Sequence, residues 1–219
     1  MSTNLTPTKS TIDNLSGLYV ITDTHLMNEQ DLIAKVQLSL EGGAKIVQFR
    51  DKTNDSATKL TLAKQLKTLC QSYQAWLIIN DDIQLAKQVN ADGVHLGKDD
   101  DDILSARQQL GNSAIIGVSC YNDLERAKQM QKLGASYVAF GRFYPSKTKP
   151  HAPQAELTTL LKAKQSLNIP IVAIGGITAN NAKTLIDSGA DAVAVIQGVF
   201  ATENIQVESN KIQRLFPKA

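Results

Sequence analysis

A chain of 219 residues with 42% apolar and 20% charged side chains has the composition of one globular unit with a sizeable core. Its 23 basic and 21 acidic groups leave a formal charge of +2, too even a balance to argue for a nucleic-acid or membrane partner. No apolar run approaches the ~18 residues of a membrane span, and Cys70 and Cys120, far apart and without a CxxC pattern, read as reduced, part-buried thiols of a cytoplasmic protein.

Residues 1–16 are rich in Ser, Thr and Asn and lack the basic start and apolar centre of a secretory signal, so they read as a loose tail before one domain over 17–219. The first β-branched run, 18–22, ends Thr22-Asp23-Thr24-His25. A doubly wound sheet would want a GxGxxG turn there, and this is not one. The second run, 46–51, leaves through Gln48-Phe49-Arg50-Asp51-Lys52. Period two puts Gln48, Arg50 and Lys52 on one face and Val47, Phe49 and Asp51 on the other. A polar, cationic stripe aimed into a barrel mouth is costly unless it meets an anion. The opposite facing would turn Val47 and Phe49 inward and leave Arg50 beneath a packed helix, so the inward stripe is favoured.

A helical pattern over 56–71 leads to strand 76–81, which ends Asn80-Asp81-Asp82, and strand 93–97 carries His95 and Gly97 into Lys98-Asp99-Asp100-Asp101-Asp102. Carboxylates at neighbouring strand ends beside a cationic stripe suggest Mg²⁺ held between protein and a diphosphate. Mg²⁺ takes one or two protein carboxylates and completes its shell with water and phosphate oxygens. Asp81 and one of Asp99 or Asp100 are the candidates, whereas Asp101 and Asp102 suit the N-terminus of the following helix. His95 reads as a hydrogen bonder lining the mouth.

Strand 115–120, a helix over 123–133 and strand 137–141 follow, and then the segment 142–154, with Pro145, Pro150 and Pro153 and no helical period. An over-long loop of this kind points to function. Its Ser146-Lys147-Thr148-Lys149 alternates hydroxyls with cations, which suits phosphate, and the loop is expected to close over the mouth as a lid. Strand 171–175 runs into Gly176-Ile177, and strand 192–196 into Gln197-Gly198, where barrels often bind phosphate.

Eight strands alternating with helices give a single (β/α)8 barrel with its phosphate sites at the C-terminal strand ends. Gly43-Ala44, Asn90-Ala91, Gly134-Ala135 and Gly189-Ala190 each precede an even-numbered strand, a weak quarter-barrel repeat. No Ser-His-Asp or Cys-His nucleophile is suggested. The composite is two phosphate-holding regions, one with metal and one without, which fits two phosphorylated substrates or one bisphosphate.

Gln48-Phe49-Arg50-Asp51-Lys52, Ile79-Asn80-Asp81, Gly93-Val94-His95-Leu96-Gly97, Gly117-Val118-Ser119, Tyr144-Pro145-Ser146-Lys147-Thr148-Lys149 and Gly175-Gly176-Ile177 together resemble thiamine-phosphate synthases, in that order. The resemblance implies a cytoplasmic, Mg²⁺-dependent transferase. It would join 4-amino-5-hydroxymethyl-2-methylpyrimidine diphosphate to 4-methyl-5-(2-hydroxyethyl)thiazole phosphate and release diphosphate. By motif, Gln48, Arg50, Lys52, Asn80 and Ser119 correspond to pyrimidine-diphosphate contacts, and Lys149 to a further diphosphate contact. Asp81 and Asp100 correspond to Mg²⁺ ligands. Ser146, Thr148, Gly176, Ile196 and Gln197 correspond to the thiazole-phosphate pocket. Arg50, Lys52, Ser119 and Lys149 would carry the catalysis. Lys98, Ser146 and Gln197 depart from the family's commoner Gln, Thr and smaller residue. A thiazole tautomerase-like isomerase and a non-catalytic thiazole-phosphate binder are the alternatives, and neither needs the Gln48/Arg50/Lys52 stripe or Asp81.

Overall fold

The computed structural model describes residues 15–97, 103–145 and 153–217. Its eight parallel strands are β1 (Gly17–Ile21), β2 (Ile46–Phe49), β3 (Trp76–Asn80), β4 (Gly93–Leu96), β5 (Ile115–Tyr121), β6 (Tyr137–Phe140), β7 (Ile171–Ile174) and β8 (Ala192–Val195). They close in sequence order, with β8 pairing back to β1, so the expected barrel is the observed fold. Between and after the strands lie α1 (Glu29–Glu41), α2 (Ser56–Ser72), α3 (Ile83–Gln88), α4 (Ile103–Leu110), α5 (Leu124–Lys132), α6 (Leu157–Ser166), α7 (Ala182–Asp187), α8 (Gln197–Phe200) and α9 (Ile205–Gln213).

The strands are apolar on both faces because each faces a core on both sides. Val47, Phe49, Leu77, Ile79, Val94 and Leu96 point outward and pack with helix residues such as Leu62, Leu66 and Ala106. Their neighbours of opposite parity, Tyr19, Ile21, Ile46, Ile78, Ile115 and Tyr137, fill the barrel. Leu15, in the segment read as a loose tail, is 1% exposed and belongs to this inner cluster. Both thiols are free and fully buried rather than part-buried, and burial pushes each up to about 12, which keeps them protonated and inert. Among the described residues no helix is long and apolar enough to cross a membrane.

The short repeat has a conformational cause. Gly43, Asn90, Gly134 and Gly189 all take left-handed backbone, with φ of +99°, +50°, +92° and +108°. The N–H of each following alanine donates to the carbonyl five residues back: Ala44 to Ser39, Ala91 to Ala86, Ala135 to Met130 and Ala190 to Leu185. This is a Schellman cap, which ends the helix and turns the chain into the next strand. A fifth copy, Gln74-Ala75 before β3, lacks the sequence signal, yet Gln74 takes φ +54° and Ala75 donates to Cys70. Gln74 is exposed, so its side chain offers little in return for the strain. Gln74→Gly is therefore expected to stabilise the protein by roughly 0.5–1 kcal/mol. A thermal midpoint that falls would contradict the cap.

Candidate active site

At the C-terminal ends of the strands lies a cleft of about 470 Å³, a size suited to small molecules. It is lined by Gln48 on β2 with Arg50 and Lys52 beyond it, Asn80 at the end of β3 with Asp81 beyond it, Ser119 on β5, Gly176 after β7, and Ile196 and Gln197 after β8. Residues proposed from separate stretches of sequence thus share one space. Asp99, Asp100, Ser146, Thr148 and Lys149 lie outside the described residues, as does most of the segment read as a lid.

The facing of β2 is the favoured one. Val47 and Phe49 are buried against helices, whereas Gln48, Arg50 and Lys52 line the cleft. The backbone of Arg50 is clasped by buried Thr22: the Arg50 N–H donates to Thr22 Oγ1 at 2.8 Å, and that hydroxyl donates to the Arg50 carbonyl at 3.0 Å. This pair of hydrogen bonds fixes where the strand ends and the cationic side chain begins. Among the described residues no carboxylate lies within ion-pair distance of Arg50. A cation so placed in a cleft suits an anionic ligand.

Lys52 instead donates to Asp81 Oδ2 at 2.7 Å, and Asn80 Nδ2 donates to the same oxygen at 2.5 Å. Asp81 takes φ +63°, a conformation that Asp and Asn tolerate better than most residues, and this lifts its carboxylate to the mouth. An ion pair with Lys52 55% exposed contributes about 0–1 kcal/mol, so it opens cheaply for a ligand. Among the described residues no cluster of three or more His, Cys, Asp or Glu could hold a metal. The carboxylate of Asp81 at the cleft is a donor of the kind Mg²⁺ takes, since that ion binds through one or two carboxylates and substrate phosphates.

The floor joins Gln48, Ser119 and His95, the expected hydrogen bonder, to two phenols that residue patterns did not single out, Tyr19 and Tyr137. Gln48 Nε2 donates to Tyr19 Oη at 2.7 Å, Tyr19 and Tyr137 share a hydroxyl–hydroxyl bond of 2.9 Å, Tyr137 meets His95 Nδ1 at 2.9 Å, and His95 Nε2 meets Ser119 Oγ at 2.9 Å. Burial pushes both phenols well above their ordinary values, so both stay protonated. The His95 and Tyr137 rings stack with centroids 5.6 Å apart. Arg126 Nε donates to the Ser119 carbonyl at 3.0 Å, and the strand pairing of β5 shifts register between Ser119 and Tyr121. Such a bulge beside a site re-aims side chains. Arg142, just past β6, adds a cation to the lining and was also missed. Only its position at a barrel strand end could have marked it.

The opposite wall is backbone. Gly176 takes φ +64°, and a Cβ there would strike the Pro145 carbonyl; a Cβ on Gly198 would strike the Ile177 carbonyl. Glycine is required at both places for the turns after β6, β7 and β8 to meet. α8 begins at Gln197, a short helix not foreseen from the sequence, so its first backbone N–H groups are left unbonded by the helix itself at the cleft. Backbone N–H groups beside glycines are donors of a kind that suits phosphate.

A model of the thiamine monophosphate synthase family matches residues 18–199. A thiamine-phosphate synthase from Nitrosococcus oceani is 51% identical, over 93% of this chain and 94% of its own length. One from Marinobacter nauticus is 49% identical, over 88% of this chain and 86% of its own. Among solved structures, a thiamine phosphate pyrophosphorylase from Pyrococcus furiosus superposes with a TM-score of 0.84 at 35% identity, covering 92% of this chain and 96% of that one. With the barrel, the cleft and matches over nearly the whole length in agreement, the chain belongs to the thiamine monophosphate synthase family and is a transferase of thiamine biosynthesis.

Proposed function

We propose that the chain couples 4-amino-5-hydroxymethyl-2-methylpyrimidine diphosphate with 4-methyl-5-(2-hydroxyethyl)thiazole phosphate to give thiamine phosphate and diphosphate. The observation that carries this reading is the division of one cleft into two anion-friendly walls. Arg50, Lys52 and Asp81 stand at the ends of β2 and β3, and Gly176 with Gln197 stands across the barrel at the ends of β7 and β8. A tautomerase or a simple thiazole-phosphate binder would need only the second wall.

The chemistry asks little of nucleophiles or bases, and among the described residues the serine–histidine pair of the cleft, Ser119 and His95, continues to Tyr137 rather than to a carboxylate. An electron-rich aminopyrimidine stabilises positive charge on its exocyclic methylene. The C–O bond can therefore break first, its electron pair leaving on the diphosphate oxygen. The thiazole nitrogen then supplies the pair for the new C–N bond. Arg50 and Lys52 receive the departing charge, and Lys149 is a further contact for it. Gln48, Asn80 and Ser119 hold the pyrimidine diphosphate, while Ser146, Thr148, Gly176, Ile196 and Gln197 hold the thiazole phosphate so that its nitrogen faces the methylene. Asp81 with Asp100 would hold Mg²⁺, which when bound supplies further positive charge to the diphosphate. Water must be kept from the cation, which it would otherwise trap.

The test is the coupling itself. Purified chain given both substrates and Mg²⁺ is expected to form thiamine phosphate, and to form none when either substrate is withheld. Isomerised thiazole phosphate with no coupled product would instead make it a tautomerase.

A further inference from the structure

We propose that Gln48, Tyr19, Tyr137, His95 and Ser119 form one directional hydrogen-bond relay across the barrel floor, in which Tyr137 is a positioning residue that fixes Ser119 as a donor into the cleft. The relay runs from β2 through β1, β6 and β4 to β5, and each of its four links measures 2.7–2.9 Å. Its two ends, Gln48 and Ser119, both line the cleft. The inference rests on the synthase reading only in taking those ends to face the pyrimidine substrate.

Counting protons gives the direction. Each phenol is wholly buried and holds one proton, which it must give to one neighbour while accepting from the other. Gln48 enters as a donor through Nε2, so Tyr19 must give its proton to Tyr137. Tyr137 then gives its own to His95 Nδ1, and a neutral imidazole that accepts at Nδ1 carries its proton on Nε2. That Nε2–H donates to Ser119 Oγ, which leaves the serine proton to point into the cleft. The other end is fixed by the same count: with its NH₂ turned to Tyr19, Gln48 presents Oε1. Reversing the Gln48 amide would reverse every link and leave Ser119 only able to accept. The two ends are therefore opposite in kind and coupled, one acceptor and one donor. The proposed substrate carries both complements, an exocyclic amino group that donates and a diphosphate that only accepts.

Packing holds the centre of the relay in place. Gly117 lies directly opposite Tyr137 in the pairing of β5 with β6, and a Cβ at Gly117 would run into the ring and hydroxyl of that tyrosine. The glycine of Gly117-Val118-Ser119 thus makes room for the phenol that orients the serine of the same motif.

Two measurements test this. The first is nitrogen-15 NMR of the His95 ring in the ligand-free protein, at a pH where the ring is neutral, with the signal assigned by loss in His95→Gln. The proton is expected on Nε2 in the unsubstituted protein, and the share of that tautomer should fall in Tyr137→Phe. A proton on Nδ1 would overturn the direction, whether or not the chain is a synthase. The second is a double-mutant cycle on kcat/KM for coupling. Tyr137→Phe and Ser119→Ala should each lower it roughly tenfold, the size of one hydrogen bond to a charged group. Tyr137→Phe should then cost little more in the Ser119→Ala background. Full additivity would show that Tyr137 only supports the fold and would overturn its positioning role. The expected tautomer in a protein that couples nothing would leave the relay standing and sink the synthase reading instead.

Discussion

Asp81→Asn is expected to lower coupling by roughly 100-fold or more, the scale on which a single preorganised electrostatic group acts on a developing charge. The substitution removes the negative charge that would hold Mg²⁺ against the diphosphate and keeps almost everything else. Asn tolerates the φ of +63° found at this position, and its amide oxygen can still accept from Lys52 and Asn80. An exposed ion pair is worth about 0–1 kcal/mol, so the thermal midpoint should move by less than about 4 °C. Asp81→Ala is a poorer test, because Ala in left-handed backbone adds strain of roughly 1 kcal/mol. An Asp81→Asn enzyme with full activity at low Mg²⁺ would remove Asp81 from the metal site.

Arg50→Met and Lys52→Met carry the other large expectation. Each keeps much of the side-chain bulk and deletes a cation proposed to receive the leaving group. Charge-assisted contacts are worth about 1.5–3 kcal/mol, so each variant should lose roughly tenfold to a hundredfold in kcat. The Arg50 backbone stays clasped by Thr22, and the fold should not notice the change. Phe49→Ala, one residue away, gives the opposite pattern. It opens a hole in the outer core, costing about 3–5 kcal/mol of stability, while leaving the cleft lining in place. The pair of results reads the facing of β2 directly. Activity lost through Phe49→Ala without loss of stability, together with an inert Arg50→Met, would reverse it.

The barrel was legible because parallel strands buried on both sides read as short β-branched runs, and eight of those alternate with helical patterns. The ends of the strands were less so. The β-branched run extends to residue 51, whereas β2 stops at Phe49, where Thr22 takes over the bonds of Arg50. Which residues line the cleft followed from period two and from glycine position, both local properties. What period two cannot show is a partner across the barrel. Tyr19 and Tyr137 look like ordinary core aromatics in sequence, and only closure of the sheet brings their hydroxyls to 2.9 Å. The left-handed turns at Asp81 and Gln74 were hidden for a related reason. Glycine announces such a turn, whereas Asp or Gln occupies it without a signal.

The measurement that bears most directly on the central claim is the stoichiometry of the coupled reaction. With both substrates and Mg²⁺ present, one diphosphate should be released for each thiamine phosphate formed, throughout the time course. With the thiazole phosphate withheld, release should nearly stop. Diphosphate appearing steadily without the thiazole partner, or thiazole phosphate converted with no diphosphate released, would contradict a cleft built to join the two.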